Sequence, residues 1–269
     1  MKIMRRLPVK KDFEKTCVDM HLHSEYSYDG GHKIESIMKT ARQGGFGVAI
    51  TDHDEIKGCL AAHRMKFKDV LLIPGVEITT KEQPHILIYG YTLNQLKDFW
   101  DKDLKKYKMK TSYKLNVRVE ELIDLARSRG FFISAAHPYG PGKFGLMNLN
   151  PDRKLFRKFD ALEIFNRFNI ARNNDKALEM AKKQSLAMTA GTDSHFKFNL
   201  GKTLNCVGKA DNAEDFLKQL KKKKNFVIGK ESSLVNKFYT LFARQYHVLR
   251  KPGGLKIFKE QVKAFPILG

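Results

Sequence analysis

The sequence contains little cysteine and no long apolar run. Its three cysteines, Cys17, Cys59 and Cys206, lie far apart and form no CxxC pair, which excludes a disulfide-rich scaffold and a cysteine-based zinc site. We expect three reduced thiols, each filling a small space in a core. No stretch approaches the roughly 20 apolar residues that cross a bilayer, and no apolar segment follows the basic start at 1–12, so no signal peptide is expected. These features predict a cytoplasmic protein without a membrane partner.

Acidic residues are also scarce. The chain has 50 Lys and Arg residues against 29 Asp and Glu residues, which gives a formal net charge of +21. Positive charge raises the local concentration of phosphate-bearing partners and speeds their association. A lysine-rich surface also serves solubility, and lysines occur in most segments here. The charge therefore agrees with a phosphate ester substrate but does not identify one.

The chain contains no repeat and no low-complexity tract, and its 269 residues suit a single α/β domain. Short apolar runs alternate with amphipathic stretches, which predicts βα units and a largely parallel sheet, either a barrel or an open doubly wound sheet. The predicted strands are Thr16–Met20, Gly47–Ile50, Val70–Ile73, His85–Tyr91, Phe131–Ala135, Ala161–Phe165 and Leu186–Ala190. The predicted helices are Ile34–Arg42, Ile56–Lys66, Val117–Arg129, Asn173–Lys183 and Asn212–Lys223.

Two basic segments interrupt this alternation. Lys97 to Arg118 carries eight Lys or Arg residues against three Asp, and we interpret the segment at about 94–118 as a helical excursion over the mouth of the barrel, with a solvated helix as the alternative. The tail from Asp211 has thirteen Lys or Arg against five Asp or Glu. We expect the α/β unit to span 1–210 and the basic extension at 211–269 to pack on it through a helix near Leu234–Leu249.

Five clusters of histidine and acid each follow an apolar run, and imidazole with carboxylate is the donor set that divalent transition metals select. They are Asp19-Met20-His21-Leu22-His23, Thr51-Asp52-His53-Asp54, Gly75-Val76-Glu77, Ala136-His137-Pro138 and Gly191-Thr192-Asp193-Ser194-His195. Side chains two apart on a strand point to one side, so His21 and His23 can share an ion. Asp19 lies on the same face, where it could orient a ligand imidazole.

The clusters are expected to converge because functional groups in parallel sheets and barrels gather at the carboxyl ends of the strands. His85 differs, since it opens an apolar run instead of closing one, but it lies only eight positions after Glu77 and we include it as a ligand. The remaining histidines, His32, His63 and His247, stand in loop-like or helix-like contexts, and we expect them at the surface. Together the clusters predict a polynuclear metal centre and a metal-dependent hydrolase.

In this order the clusters resemble the polymerase-and-histidinol-phosphatase (PHP) family. The matching stretches are VDMHLHSEYSYDG, VAITDHDEIKG, LIPGVEIT, HILIYGY, ISAAHPYG, ALEIFNRFNIARNNDKALEMA and TAGTDSHFKFNLG. They cover most of residues 16 to 201, so the resemblance is domain-wide. It implies a distorted (β/α)7 barrel of the PHP type, followed here by a basic C-terminal helical extension, with a dinuclear or trinuclear metal centre at the carboxyl face.

The resemblance also implies a ligand set. One ion would be held by His21, His23, Glu77 and Asp193. Glu77 would bridge to a second ion, held also by His85 and His137. A third would be held by Asp29, His53 and His195. Some relatives have a histidine at the place of Asp29, so its carboxylate indicates a different metal preference or a weaker third site.

The implied cofactors are two or three divalent ions. Zinc, manganese and iron suit this donor set, whereas magnesium as the only native ion does not. The implied chemistry is attack by a metal-bound hydroxide on a phosphate ester. His195 and Asp54 are candidates for protonating the leaving group, and Asp52 and Asp54 for orienting His53. The candidate phosphate-binding cations are Arg167, Arg172, Lys143 and Lys197.

These features predict a metal-dependent phosphoric ester hydrolase acting on a small phosphomonoester, such as a nucleotide or histidinol phosphate. The first alternative is a metal-dependent nuclease that trims short RNA or DNA, which the positive charge favours, although the sequence shows no RNA-binding motif. The second is a non-catalytic barrel that binds nucleic acid or a protein partner. A barrel of that kind would have lost some of the metal ligands, whereas the ligand set here is complete. The oligomeric state cannot be read from the sequence.

Overall fold

A computed structural model describes residues 3–9, 14–109 and 113–264. Within them, ten strands form one mixed sheet in the order β1-β10-β9-β2-β3-β4-β5-β6-β7-β8. The strands are β1 (Ile3–Met4), β2 (Thr16–Leu22), β3 (Gly47–Ile50), β4 (Leu72–Thr79), β5 (His85–Tyr89), β6 (Phe132–Ala135), β7 (Ala161–Asn166), β8 (Ala187–Gly191), β9 (Thr203–Val207) and β10 (Phe226–Gly229).

Nine α-helices occur in the same residues, most of them between strands. They are α1 (Ile34–Gly44), α2 (Lys57–Arg64), α3 (Leu93–Phe99), α4 (Val119–Ser128), α5 (Arg153–Phe156), α6 (Ala171–Lys183), α7 (Ala213–Lys221), α8 (Leu234–Arg250) and α9 (Gly254–Ala264). None of these helices is both long enough and apolar enough to span a membrane.

Strands β2 to β8 curl into a seven-stranded barrel. The segment after β8 returns to β2, where the amide of His23 donates to the carbonyl of Ser194 at 2.8 Å and the amide of Asp193 donates to the carbonyl of His21 at 2.8 Å. The curvature is irregular because β5 runs antiparallel to both β4 and β6, whereas β2-β3-β4 and β6-β7-β8 are parallel. The expected distorted (β/α)7 barrel of the PHP type is confirmed.

The helices cover the barrel with amphipathic faces. In α1 the buried residues Ile34, Ile37, Met38 and Ala41 recur at spacings of three and four, so one stripe faces the sheet. The helix stops at Gly45, whose φ of 69° is a left-handed conformation that glycine adopts without strain. The strands between the helices are almost fully buried, as expected where helices pack over a parallel sheet.

The structure finds strands that the sequence pattern missed. The seven predicted strands are present, but β4 extends to Thr79 because Pro74 and Gly75, which look like a strand end, lie inside it. The carbonyl of Pro74 accepts from the amide of Gly90 at 2.8 Å, so the strand continues past a residue without an N–H donor. Strands β1, β9 and β10 were not predicted. They extend the sheet beyond β2 as far as Gly229, while the division at residue 210 stays a prediction.

The expectation of three reduced thiols is wrong for two of them. Cys17 on β2 lies opposite Cys206 on β9 in an antiparallel pairing, and the two are joined in a disulfide. The residues are 189 positions apart, and only the pairing of β9 with β2 brings them together. Cys59 remains a free thiol and is buried in the core as expected.

The segment around α3 and the C-terminal helices α8 and α9 meet at the mouth of the barrel. Helix α3 continues into a π-helical turn, Trp100–Leu104, and Tyr113 beyond it is buried against Phe144 and residues of α8 and α9. Helix α8 contacts the mouth of the barrel through Val248. Its apolar residues, however, are largely exposed, with Val235 at 77% and Phe242 at 74%, and of its residues only Thr240 and Val248 are buried.

Candidate metal centre

All nine predicted ligands lie together at one end of the barrel. His21 is on β2 and His23 directly follows it, while His53, His137 and Asp193 come just after β3, β6 and β8. His85 begins β5, and because β5 is antiparallel its first residue faces the same end as the last residues of its neighbours. The nine side chains are buried, Asp193 being the most exposed at 9%. The sequence prediction that these residues converge agrees with the geometry.

The carboxylate of Glu77 lies at the middle of the cluster, with its two oxygens facing different histidines. Oε1 is 3.1 Å from Nδ1 of His85 and 3.3 Å from Nε2 of His137. Oε2 is 3.2 Å from Nε2 of His21, 3.3 Å from Nε2 of His23 and 3.1 Å from Nδ1 of His53. A carboxylate in this position can supply one oxygen to each of two ions, which is the bridging role that the resemblance implies.

Asp193 completes the group on the β2 side. Its Oδ1 lies 3.2 Å from Nε2 of His23 and 3.7 Å from Nε2 of His21. Asp193 has a positive φ of 50°, a conformation that aspartate tolerates better than most residues, and it turns the side chain toward the barrel axis. His21, His23 and Asp193 thus offer ligand atoms within 4.8 Å of one another.

A further group lies around Asp29 in the loop after β2. Nε2 of His195 is 3.1 Å from Oδ2 of Asp29, and Nε2 of His53 is 3.7 Å from the same oxygen. The four residues His23, Asp29, His53 and His195 also have ligand atoms within 4.8 Å of one another. The predicted third group is therefore assembled as well.

The buried donors and acceptors of the cluster fit divalent ions. Among the described residues, several buried polar atoms around Glu77 have no hydrogen-bond partner, among them Oε2 of Glu77, Nδ1 of His53 and Nε2 of His85. Burying a polar group without a partner costs on the order of 1–3 kcal/mol, and so many in one place are rare in folded proteins. Cations would supply the missing interactions.

The electrostatics of the cluster favour ionised carboxylates. Burial opposes the charged forms of Glu77 and Asp193, but the surrounding histidines outweigh it and hold both pKa values well below their usual range. Burial likewise opposes protonation of His23, yet hydrogen bonds to Asp193 and Glu77 raise its pKa to about 9. Burial, helped by the charge of Arg244, lowers the pKa of His195 to about 4.

Glu163 on β7 supports the cluster and was not identified from the sequence. Its Oε1 lies 2.9 Å from Nδ1 of His21, while its Oε2 accepts from the amide of His137 at 2.7 Å and from Nδ2 of Asn166 at 3.1 Å. Nδ2 of Asn166 also lies 3.3 Å from Oδ2 of Asp193. The sequence did contain a signal for this role, an acidic residue inside the apolar run ALEIF. A charged side chain that is buried in a strand needs polar partners.

Asp19 was expected to orient a ligand imidazole, and this expectation is wrong. Its carboxylate instead accepts from the amide and hydroxyl of Thr192, at 2.9 and 2.7 Å, and from the amide of Gly201 at 3.0 Å. It therefore fixes the segment that carries Asp193. The contact with the His21 ring belongs to Glu163, which lies 142 positions away in sequence.

Asp52 and Asp54 hold backbone rather than the ring of His53. Asp52 accepts from the amide and hydroxyl of Ser24, at 2.6 and 2.7 Å, and so fixes the loop after His23. Oδ1 of Asp54 accepts from the amide of Thr79 at 3.0 Å, and burial raises the pKa of Asp54 well above its usual value. The proposed roles of Asp54 and His195 in protonating the leaving group stay predictions.

A cavity of about 220 Å³ lies over the cluster. Its floor contains Asp29, His53, His85, His137 and Asp193, and its roof comes from the C-terminal helices. The residues contributed by α8 and α9 are Leu241, Arg244, Gln245, Val248 and Gln261. Nε2 of Gln261 on α9 donates to the hydroxyl of Tyr28 at 3.2 Å, which joins the roof to the loop after β2.

Among the described residues, Arg244 is the basic residue that lines the cavity. It was not identified from the sequence. Its Nη2 and Nε lie 2.7 and 3.1 Å from Oδ2 of Asp29. The four cations predicted to bind phosphate are not among the described residues that line the cavity. Arg167 is buried and bonded to Asn199 and to the carbonyl of Lys230, and the others are exposed: Arg172, Lys143 and Lys197. Their role in binding phosphate stays a prediction.

The three remaining histidines differ in placement. His63 is exposed as expected, and His247 is half-buried beside Phe196, at 5.4 Å between ring centroids. The expectation that His32 lies at the surface is wrong, since only 4% of it is exposed. Burial, with the nearby charge of Lys197, lowers its pKa to about 4.

The chain is similar to several known proteins. The chain matches the model of the PHP domain family over residues 19–251. It is 25% identical over 230 residues to the uncharacterized protein MJ0417 of Methanocaldococcus jannaschii, covering 81% of this chain and 84% of the relative.

Two solved structures share the fold. One is a two-domain protein from Bacteroides vulgatus that contains a predicted PHP-like metal-dependent phosphoesterase, with a TM-score of 0.61, 16% identity, and coverage of 90% of this chain and 74% of that one. The other is the lesion-specific endonuclease PfuEndoQ from Pyrococcus furiosus, with a TM-score of 0.61 and 20% identity. That match covers 79% of this chain and 57% of the endonuclease.

Proposed function

This chain belongs to the PHP domain family, and from that we propose that it is a metal-dependent phosphoesterase that releases phosphate from a small phosphomonoester. The observation that carries the proposal is the position of Glu77, whose two oxygens each lie within 3.3 Å of histidine nitrogens on opposite sides. The ligand set proposed from the sequence supplies the donors for two ions that share this carboxylate.

Divalent ions at such a centre lower the pKa of bound water toward roughly 7 and neutralise phosphate oxygens. The protein contributes position and exclusion of water. Glu163 fixes the ring of His21, Asp19 fixes the segment before Asp193, and the roof from α8 and α9 covers the floor of ligands. The guanidinium of Arg244 adds a permanent positive charge beside the place where the phosphate would lie.

The size of the cavity supports a small substrate. Its volume of about 220 Å³ is below the roughly 300–1,000 Å³ of most small-molecule sites. Phe144, Phe168 and Val248 line its walls, so the part of the substrate beyond the phosphate would meet apolar surface. A nucleotide or a histidinol-phosphate-like monoester remains the proposed substrate class.

A nuclease that trims short RNA or DNA is the second candidate, and the net charge of +21 favours it. The roof from α8 and α9 lies over the ligands, so a single-stranded end that enters the cavity suits this candidate better than a duplex. Salt separates the two, because binding a polyanion releases counterions. A steep loss of activity with salt on oligonucleotides, absent on mononucleotides, would favour the nuclease.

The test combines elemental analysis of the purified chain with a screen of phosphomonoesters, nucleotides and short oligonucleotides. We expect bound zinc, manganese or iron and phosphate release from one class of monoester, lost in Asp193→Ala and retained in Asp98→Ala. Asp98 is the matched control because its carboxylate is exposed on α3. A chain without bound metal, and without hydrolysis when metals are added, would instead support a non-catalytic binding protein.

A further inference from the structure

Both oxygens of Asp29 are already engaged by groups of this chain. Oδ1 accepts from the hydroxyl of Ser27 at 2.8 Å. Oδ2 accepts from Nη2 and Nε of Arg244, at 2.7 and 3.1 Å. This same Oδ2 is the oxygen that faces His195 and His53 at 3.1 and 3.7 Å, so an ion held by these three residues would share it with two N–H donors.

The position of Arg244 is built into the fold. Its side chain is only 20% exposed, and Leu241, Gln245 and Val248 beside it on α8 line the same cavity. Helix α8 is fastened on both sides of Arg244. Nζ of Lys237 donates to the carbonyl of Asn169 at 2.8 Å, and Nζ of Lys251, just beyond the helix, donates to the carbonyl of Ser27.

The contact between Lys251 and Ser27 ties the end of α8 to the loop that carries Asp29. Arg244 and Asp29 are therefore held against each other by lysine side chains that fasten α8 to backbone carbonyls on both sides of Arg244. Arginine is charged at every pH that the protein meets, so its positive charge cannot be removed to admit another cation.

The ligands around Glu77 and the ligands around Asp29 therefore differ in their ability to bind a divalent ion. Around Glu77 the carboxylate oxygens face histidine nitrogens, whose protons an incoming ion can displace. Around Asp29 the guanidinium already supplies a positive charge, and a divalent ion at this place would be repelled by it at short range in a buried environment, where charges interact strongly.

We propose that the guanidinium of Arg244 takes the place of the third divalent ion, so that the centre holds two ions and one arginine. The proposal deepens the metal centre of the proposed function. In this arrangement Asp29 is the anchor of Arg244, and His53 faces the shared carboxylate of Glu77 through its Nδ1 at 3.1 Å.

The test counts ions in the full-length chain. Metal-free protein is titrated with Mn²⁺ and the bound ions are counted by elemental analysis and calorimetry, for the wild type, Arg244→Gln and Arg250→Gln. Arg250 is the matched control because it lies on the same helix and is exposed, with its guanidinium over the ring of Tyr246. We expect two tightly bound ions in the wild type and in Arg250→Gln.

In Arg244→Gln we expect a third ion, or a third binding step at least tenfold tighter than in the wild type. Any other number of tightly bound ions in the wild type overturns the proposal, and so does an Arg244→Gln variant that binds as the wild type does. If that variant does not fold, anomalous diffraction from Mn²⁺-loaded wild-type crystals decides instead, with two peaks expected and three contradicting. The count does not involve phosphate release, so it stands or fails separately from the phosphoesterase activity.

Discussion

Oε1 of Glu163 lies 2.9 Å from Nδ1 of His21, and the opposite nitrogen of that ring lies 3.2 Å from Oε2 of Glu77. The acid on β7 therefore fixes both the tautomer and the direction of the histidine on β2. A carboxylate behind a ligand histidine also makes the ring a better donor. The first prediction follows from this relationship.

Glu163→Gln is expected to weaken metal binding by about 10–100-fold, the usual cost of losing such a partner, because an amide carries no charge to strengthen the ring. The measurement is a competition titration of the metal-free chain with a chelator. Glu179→Gln, an exposed change on α6, is the control. Equal affinities for the two variants would contradict the supporting role of Glu163.

Alanine at His21, Glu77 or Asp193 is expected to abolish phosphate release while the fold survives. Each change removes a ligand atom from the centre, and the barrel keeps its strands and helices. Activity is measured on the monoester found in the screen, and the fold by circular dichroism and thermal unfolding. Turnover that persists in all three folded variants would show that the centre is assigned to the wrong residues.

Metal affinity is expected to rise with pH. Burial opposes the charged form of His23, but Asp193 and Glu77 raise its pKa to about 9 in the metal-free chain, and a metal binds only the neutral ring. Below that pKa an ion that binds His23 must displace the proton of its ring. The affinity for this ion should therefore increase by up to about tenfold per pH unit between pH 7 and 9. Calorimetry at pH 7 in buffers of different ionisation enthalpy measures the proton release. Affinity independent of pH over this range would contradict it.

Gly191→Ala is expected to weaken metal binding without touching a ligand. A Cβ at Gly191 would contact the Cβ of His21 and lie 2.6 Å from its backbone nitrogen, so β2 and β8 would have to separate. Gly208→Ala is the control, since its Cβ would meet only the end of the Gln219 side chain, at 3.0 Å. Chelator competition and the unfolding temperature are compared. Wild-type values for Gly191→Ala would argue against this close approach.

Only one thiol should react in the unfolded chain before reduction. Cys17 and Cys206 are joined, whereas Cys59 is free. In the native protein, by contrast, Cys59 should not react, because burial raises the pKa of its thiol to about 12 and only the thiolate reacts. Alkylation followed by mass measurement counts the thiols, and reduction should raise the count from one to three. Three reactive thiols before reduction would contradict the pairing.

The sequence identified the barrel strands because each contains an apolar run, and five of these runs are followed by a polar cluster. It could not identify β9 and β10. Asn205 interrupts the short run of β9, and its Nδ2 is satisfied by the carbonyl of Ala190 at 3.0 Å, a contact between distant parts of the chain. The disulfide escaped prediction for the same reason, since it depends on the pairing of β9 with β2.

The ligands were easier to predict than their partners. His21, Glu77 and Asp193 each lie in a polar cluster after an apolar run, and such clusters are visible in the sequence. The partner of His21 is set by which strand of the closed barrel faces it, so Asp19, two residues away, was a wrong choice and Glu163 was missed. Arg244 was missed because its direction depends on how α8 docks, and the apolar pattern of that helix does not show which face meets the barrel.

The roof over the cavity belongs to the last part of the described chain, after every metal ligand. Changes in α8 and α9 that leave Arg244 and Lys251 in place can therefore alter what enters without moving the donor atoms around Glu77. The entrance is separable from the ligands around Glu77 in this molecule, and Leu241→Ala, which shortens a side chain that lines the cavity from α8, would test whether a wider range of phosphate esters gains access while Arg244 stays in place.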